Sequence, residues 1–256
     1  MSIGIVFSGG GVRGAAHIGV IKALEEYDIF PTHISGTSAG AIVGAFYANG
    51  INWDDILEFF KATPLFHIKN YAQGKPGFID TEKLYKAFIK FFPEDNFDAL
   101  KKALFVTATD VVKGTLKFFS AGELIRPVLA SACFPGVFTP MKIDGSFYID
   151  GGVLNNFPIE PLKMYCDKVI GSYVSPLKNI TVHELKHSYT VMYRAHKIRE
   201  AHEAVHKFSY CDALIFPQTL ENYGTFDMKS IDEIFDLGYN EAKKILSGFK
   251  RQLLKE

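Results

Sequence analysis

The sequence predicts an α/β layered protein, and three observations carry that reading. The chain opens on a short apolar run, Ile3-Gly4-Ile5-Val6-Phe7, that stops at Ser8-Gly9-Gly10-Gly11, as a buried strand entering a glycine loop does. Apolar residues then recur near helical spacing from Gly14 to Glu26. A second apolar stretch, Ile29 to Ser35, is followed by a small-residue helix, Ala39 to Asn49, which the Asn49-Gly50 pair ends. Strand, loop, helix, strand, helix is the β-α-β-α order of layered folds.

Further along, Asn52 to Lys61 and Thr81 to Phe91 have amphipathic helical patterns, the second preceded by the loop Gln73-Gly74-Lys75-Pro76-Gly77. The region from about 52 to 100 is a candidate cap over a site. Leu104 to Thr109 and Thr115 to Phe119 read as a strand pair turning at Lys113-Gly114. A helix from Glu123 to Ala132 is broken by Phe134-Pro135-Gly136. Met141 to Ile143 and Ser146 to Ile149 flank Asp144-Gly145, a strong hairpin signal. Lys168 to Val174 is a further strand, Val182 to Lys207 a long helix, Ala213 to Phe216 a short strand and Ser230 to Leu254 a terminal helix. Without repeats or low-complexity linkers, residues 1–256 are expected to form a single domain.

Composition narrows the function classes. With 256 residues and 48% hydrophobic content, the chain is long and apolar enough for a substantial core. Lys plus Arg and Asp plus Glu both number 28, so no global field draws the protein to nucleic acid. Cys133, Cys166 and Cys211 lack C-x-x-C spacing and are odd in number, which points to buried free thiols in a reducing compartment. The first strand leaves no room for a signal peptide, and no apolar run reaches transmembrane length. A soluble cytoplasmic protein is expected, with peripheral membrane contact left open. Of the 23 phenylalanines, most are expected in the core and a minority against an acyl chain or lipid surface.

The chemistry centres on Ile34-Ser35-Gly36-Thr37-Ser38-Ala39-Gly40. Gly36 and Gly40 stand two positions either side of Ser38, where side chains would collide if strand and helix met at a tight angle. Such a corner holds a serine in strained backbone with its oxygen exposed, and the first amides of the following helix favour negative charge beside it. Short Gly/Ser/Ala runs are also ordinary turn material, so the pattern alone does not establish a nucleophile.

Two other stretches bear on Ser38. In Gly9-Gly10-Gly11-Val12-Arg13-Gly14, successive amides can turn toward one point. Gly9, Gly11 and Gly14 satisfy a dinucleotide G-x-G-x-x-G, but the acidic residue that reading wants after the second strand is missing, Asp28 lying before it. The preferred reading is an oxyanion hole from the amides of Gly10, Gly11 and Val12, with Arg13 binding loop carbonyls. Asp150-Gly151-Gly152 ends a strand and opens the loop Val153-Leu154-Asn155-Asn156-Phe157-Pro158, too long for a simple hairpin; Asp144-Gly145 shows that the dipeptide by itself is ordinary turn chemistry.

The set SGGGVRG, GTSAG and IDGG, in this order and with ASACFPGVFTP between the last two, resembles the patatin-like phospholipase family from about Ile3 to Pro158. The resemblance implies a three-layer α/β/α fold around a mostly parallel central sheet. It also implies a Ser-Asp dyad with Ser38 as nucleophile and Asp150 as base, and an oxyanion hole from Gly10, Gly11 and Val12. Gly9, Arg13, Gly14, Gly36, Gly40, Gly151 and Gly152 occupy matching motif positions. The implied substrate is a phospholipid or other acyl ester met at a membrane or micelle surface, with neither cofactor nor metal; a homodimer is left open. The carboxyl-terminal third of the chain matches only loosely.

Three rival readings remain. His183, His187, His196, His202 and His206 all follow Asp150, so a Ser-Asp-His triad is an allowed order. His202-Glu203-Ala204-Val205-His206 is a literal H-E-x-x-H, with Glu221, Glu233 or Glu241 as a third zinc ligand. The fold could also be a non-catalytic lipid-binding module.

Overall fold

The computed structural model describes residues 1–63 and 82–254. The loop Gln73–Gly77 of the sequence reading lies outside the described residues. In chain order the elements are β1 (Ile3–Phe7), α1 (Ala15–Glu26), β2 (His33–Gly36), α2 (Ala39–Ala48), α3 (Trp53–Ala62), α4 (Glu82–Phe88), β3 (Ala103–Asp110) and β4 (Thr115–Phe119). Then follow α5 (Ile125–Ser131), β5 (Met141–Ile143), β6 (Ser146–Asp150), α6 (Glu160–Tyr165), β7 (Lys168–Ser172), α7 (Ser188–Val205), β8 (Ala213–Ile215) and α8 (Ile231–Leu253).

Among the described residues the strands form one eight-stranded sheet, ordered β5-β6-β3-β2-β1-β7-β8 with β4 also on β3. β3, β2, β1, β7 and β8 are parallel; β4, β5 and β6 add antiparallel pairs at one side. Strand alternation sends side chains to two covered faces. Ile5, Phe7, Ile34, Val106 and Ile170 join a large core with α1, α2, α3, α5 and α8. Val6 and Val169 point the other way, to a smaller cluster with Phe157, Leu162 and Tyr173, closed by Ala204 of α7. This is the three-layer α/β/α arrangement.

Local chemistry accounts for the departures from the sequence reading. The long helix expected over Val182–Lys207 is a one-turn 3-10 segment, Val182–Glu184, followed by α7. The interruption carries two sets of caps: Glu184 accepts from the Thr181 amide at 2.8 Å, and the Thr190 hydroxyl donates to the His187 carbonyl at 2.6 Å. β2 begins at His33 because Pro31, which lacks an N–H, stands before it. α6 went unread because six residues with Pro161 in the first turn are too few for a periodic signal. The described part of the 52–100 region feeds the core: Phe59, Phe88, Phe91 and Phe92 pack around Phe46 of α2, and none of its described residues lines the cavity at Ser38. None of the three cysteines is in a disulfide, but Cys166 and Cys211 are only half-buried.

One feature of the sheet positions the site. β2 runs along residues 103–106 of β3 and ends with Gly36 opposite Val106; β6 runs the opposite way along 108–110 and ends with Asp150 opposite Ala108. Val106 also faces Phe119 of β4, which fills the other edge of β3 as far as Asp110. β6 therefore shares an edge with β2, and the two strands meet carboxyl end to carboxyl end.

Candidate active site

At the end of β2 the chain turns sharply into α2. Ser38 takes φ +56° and ψ −125°, a positive φ that costs a non-glycine residue of order 1–3 kcal/mol. Close packing enforces the corner. A Cβ on Gly40 would stand 2.3 Å from the Phe7 carbonyl oxygen, and one on Gly36 would stand 2.5 Å from the Gly40 carbonyl oxygen. Thr37 anchors the turn, its hydroxyl 2.6 Å from that of Thr107 and donating to the Asn155 carbonyl at 2.9 Å. The Ser38 amide donates to the Ser131 hydroxyl at 2.8 Å. The Ser38 side chain thus sits at the amino end of α2, buried but bordering a cavity.

Asp150 closes β6 and caps the 3-10 turn Gly151–Val153, accepting a hydrogen bond from the Gly152 amide at 2.8 Å. The Ser38 hydroxyl borders the same cavity and is near enough to favour the charged form of that carboxyl. Burial pushes the Asp150 carboxyl up to about 6, against the lowering pull of the Gly152 hydrogen bond and the Ser38 hydroxyl; nearby Glu200 raises it further and His196 lowers it. The loop after Asp150 links both corners: Asn155 receives Thr37, and the Asn156 carbonyl accepts from the Gly9 amide at 3.2 Å.

The glycine loop covers the same cavity. Gly9, Gly10 and Gly11 line it together with Ser38, Asp150 and Asn156. Among the described residues the Gly10 and Gly11 amides have no hydrogen-bond partner. Val12 departs from the sequence reading: its amide donates to the Thr225 carbonyl at 2.9 Å, which takes it out of the oxyanion-hole set. Gly11 adopts φ +62°, with Thr225 packed against its Cα, so the loop 224–226 presses directly on this turn.

Arg13 is buried and binds the loop from beneath. Its guanidinium donates to the Gly10 carbonyl and to the Ser175 hydroxyl, both at 3.3 Å, while the Ser175 hydroxyl donates to the Gly9 carbonyl at 2.9 Å. His17, which sequence reasoning passed over, bridges Ser172 at 2.7 Å and the Ser8 carbonyl at 2.8 Å. Burial pushes its imidazole down to about 4, so at neutral pH it is an uncharged brace.

Sequence reasoning also missed Glu200, a buried carboxylate in α7 that lines the cavity. Burial would raise it, but Lys197 at 2.6 Å and His196 at 3.0 Å outweigh that and hold it at about 2. Motif spacing gave no sign of it, because α7 lies outside the three matching stretches.

The histidine readings find no geometry to support them. None of His183, His187, His196, His202 or His206 lines the Ser38 cavity, and His196 is turned to Glu200. His202 and His206 are exposed with ring centroids 4.9 Å apart, and Glu203 is ion-paired with Lys207. Glu233 accepts from Tyr223 and Glu241 from Lys244, and among the described residues no three His, Cys, Asp or Glu side chains form a group that could hold a metal ion.

A buried serine beside a buried carboxyl, on a cavity shared with two loop amides, can activate a hydroxyl and receive a developing oxyanion. Residues 5–163 match the family model described as patatin-like phospholipase. The chain is 25% identical over 284 residues to lysophospholipase NTE1 of Coccidioides immitis, covering 98% of this chain and 18% of that protein. It is likewise 25% identical over 285 residues to human patatin-like phospholipase domain-containing protein 6, covering 98% of this chain and 20% of that protein. The chain therefore spans about a fifth of the length of these relatives. In fold it is similar to VipD from Legionella pneumophila, with a TM-score of 0.50 at 17% identity, over 92% of this chain and 67% of that one.

Proposed function

The chain belongs to the patatin-like phospholipase family, and from that premise we propose that it is a serine-dependent lipid acyl-ester hydrolase of the phospholipase or lysophospholipase type. Ser38 Oγ attacks the ester carbonyl as Asp150 accepts its proton. The carbonyl oxygen becomes an oxyanion facing the Gly10 and Gly11 amides, which are already oriented before the charge develops. Collapse expels the alcohol, which takes its proton from Asp150, and leaves an acyl-Ser38 ester. Water, deprotonated by Asp150, releases the fatty acid and restores Ser38.

A carboxylate is ordinarily a poor base, with a reference value near 3.9. The observation that carries the proposal is the burial of Asp150 against the Ser38 hydroxyl, which brings the carboxyl to about 6 and so strengthens it as a base. The names of the relatives support a lipid ester as substrate. The proposed encounter with lipid is transient contact with a membrane or micelle surface; no helix among the described residues is long and apolar enough to cross a membrane. A panel of phospholipid, lysophospholipid and simple ester substrates tests the reading. Hydrolysis by the intact protein should disappear in Ser38→Ala and Asp150→Asn, and turnover retained by Ser38→Ala would overturn it.

A further inference from the structure

We propose that the apolar groove between α7 and the loop after α5 holds one fatty acyl chain and that Phe134 divides it from Ser38; this deepens, and rests on, the ester-hydrolase reading. The groove has a volume of about 460 Å³, and its lining includes Phe134, Ile149, Val153, Met192, Tyr193 and His196. That size falls in the range of small-molecule sites, and no lysine, arginine, aspartate or glutamate is in its lining.

Three observations commit the groove to an acyl chain. The first is continuity with the reacting centre: Phe134 lines both the groove and the cavity that contains Ser38 and Asp150. The second is the small size of the Ser38 cavity. At about 20 Å³ it has room for little more than a water, so the chain of a bound ester must extend elsewhere. The third is polarity. On the other side of Tyr193 lies a pocket of about 290 Å³ that mixes Leu177, Ile180 and Leu185 with Arg13, Lys178, Arg194 and Glu184, so of the two neighbouring spaces only the groove is free of charged side chains.

The partition is built from aromatic contacts. The Phe134 ring lies 5.6 Å from His196, 6.1 Å from Tyr193 and 6.3 Å from Phe226, centroid to centroid. Tyr193 in turn is 2.5 Å from the Thr225 hydroxyl, which joins α7 to the loop over Gly11. An ester carbonyl at Ser38 with its chain in the groove requires the Phe134 ring to swing aside. Rotation of one side chain then joins the two spaces.

The test is a chain-length profile with wild type, Met192→Trp and Ser38→Ala. Met192 is 70% exposed, so a larger side chain there fills the groove without displacing core packing. For nitrophenyl esters from acetate to palmitate, wild-type kcat/KM should rise about fourfold per methylene until the groove is full. Met192→Trp should lower the long-to-short ratio at least tenfold. A second arm measures binding of a fluorescent long-chain fatty acid, which needs no turnover: affinity should persist in Ser38→Ala and fall at least tenfold in Met192→Trp. An unchanged chain-length ratio together with unchanged fatty-acid affinity in Met192→Trp overturns the groove assignment. Absence of ester turnover at every length, with fatty-acid binding weakened by Met192→Trp, overturns the hydrolase reading and leaves the groove standing.

Discussion

Gly36 and Asp150 end two strands that run toward each other along a single edge of β3, opposite Val106 and Ala108. Each strand then turns away, one through Thr37 into α2 and the other through Gly151 into a 3-10 turn. At the gap between the strand ends Ser38 and Asp150 line one cavity. Residues more than a hundred positions apart are thereby positioned by sheet register rather than by loop conformation, the kind of rigid support a reacting pair needs.

The buried carboxyl predicts an unusual acid limb. If Asp150 must be ionised to accept the Ser38 proton, kcat/KM should fall below about pH 6, where Asp150 titrates, and at pH 5 should retain about a tenth of its plateau. Glu200 holds that value up and His196 draws it down. Glu200→Gln should therefore move the limb to lower pH, which a pH profile of kcat/KM reads directly. A limb near pH 4 in the wild type would contradict the raised Asp150 carboxyl.

The same carboxyl should make folding stability depend on pH. Its folded value, about 6, lies above the ordinary 3.8, so its contribution is full below about pH 4 and is lost as pH rises through 6. At about 1.4 kcal/mol per pH unit, keeping it ionised in the folded protein costs about 3 kcal/mol. Asp150→Asn retains an oxygen to accept from Gly152 while removing that charge. It should be inactive, more stable than wild type by up to about 3 kcal/mol at pH 8, and no more stable at pH 3, as followed by urea denaturation.

Strain at the nucleophile gives a second stability test. Ser38→Ala and Ser38→Gly both delete the hydroxyl, so their difference isolates the cost of φ +56°. Glycine relieves that strain but gains freedom in the unfolded chain, leaving a net advantage of about 1 kcal/mol. Both variants should lack esterase activity, with Ser38→Gly the more resistant to denaturant. Greater stability in Ser38→Ala would contradict the strain.

Much of the pair's setting was legible in sequence, and the parts that were not have physical reasons. Gly36 and Gly40 announced the corner because a Cβ at either meets backbone, and Asp144-Gly145 announced the β5-β6 hairpin, both residues taking positive φ. Three-layer architecture followed from the β-α-β-α opening and the family motifs. Val12 was misassigned because its competitor, the Thr225 carbonyl, lies far along the chain in a loop without any motif. Glu200 and Phe134 were missed for a related reason: their importance comes from what they face, and periodicity reports only which side of a helix is apolar. The rival H-E-x-x-H spacing is real, but Glu203 is engaged by Lys207.

The histidines provide the last discrimination, between a dyad and a conventional triad. His183, His187, His202 and His206 are exposed and line no part of the Ser38 cavity, so alanine at each should leave kcat/KM within about twofold of wild type. His196 differs, because its Nε2 lies 3.0 Å from Glu200, whose carboxylate faces Asp150 across the cavity. His196→Ala removes a group that lowers Asp150 and so should shift the acid limb upward while preserving turnover on the plateau. A triad makes the opposite demand, since deletion of its imidazole lowers the plateau by orders of magnitude at every pH. Plateau kcat/KM for the five alanine variants, measured well above pH 6, separates the two mechanisms: collapse in any one would replace the Ser38-Asp150 dyad with a three-residue system.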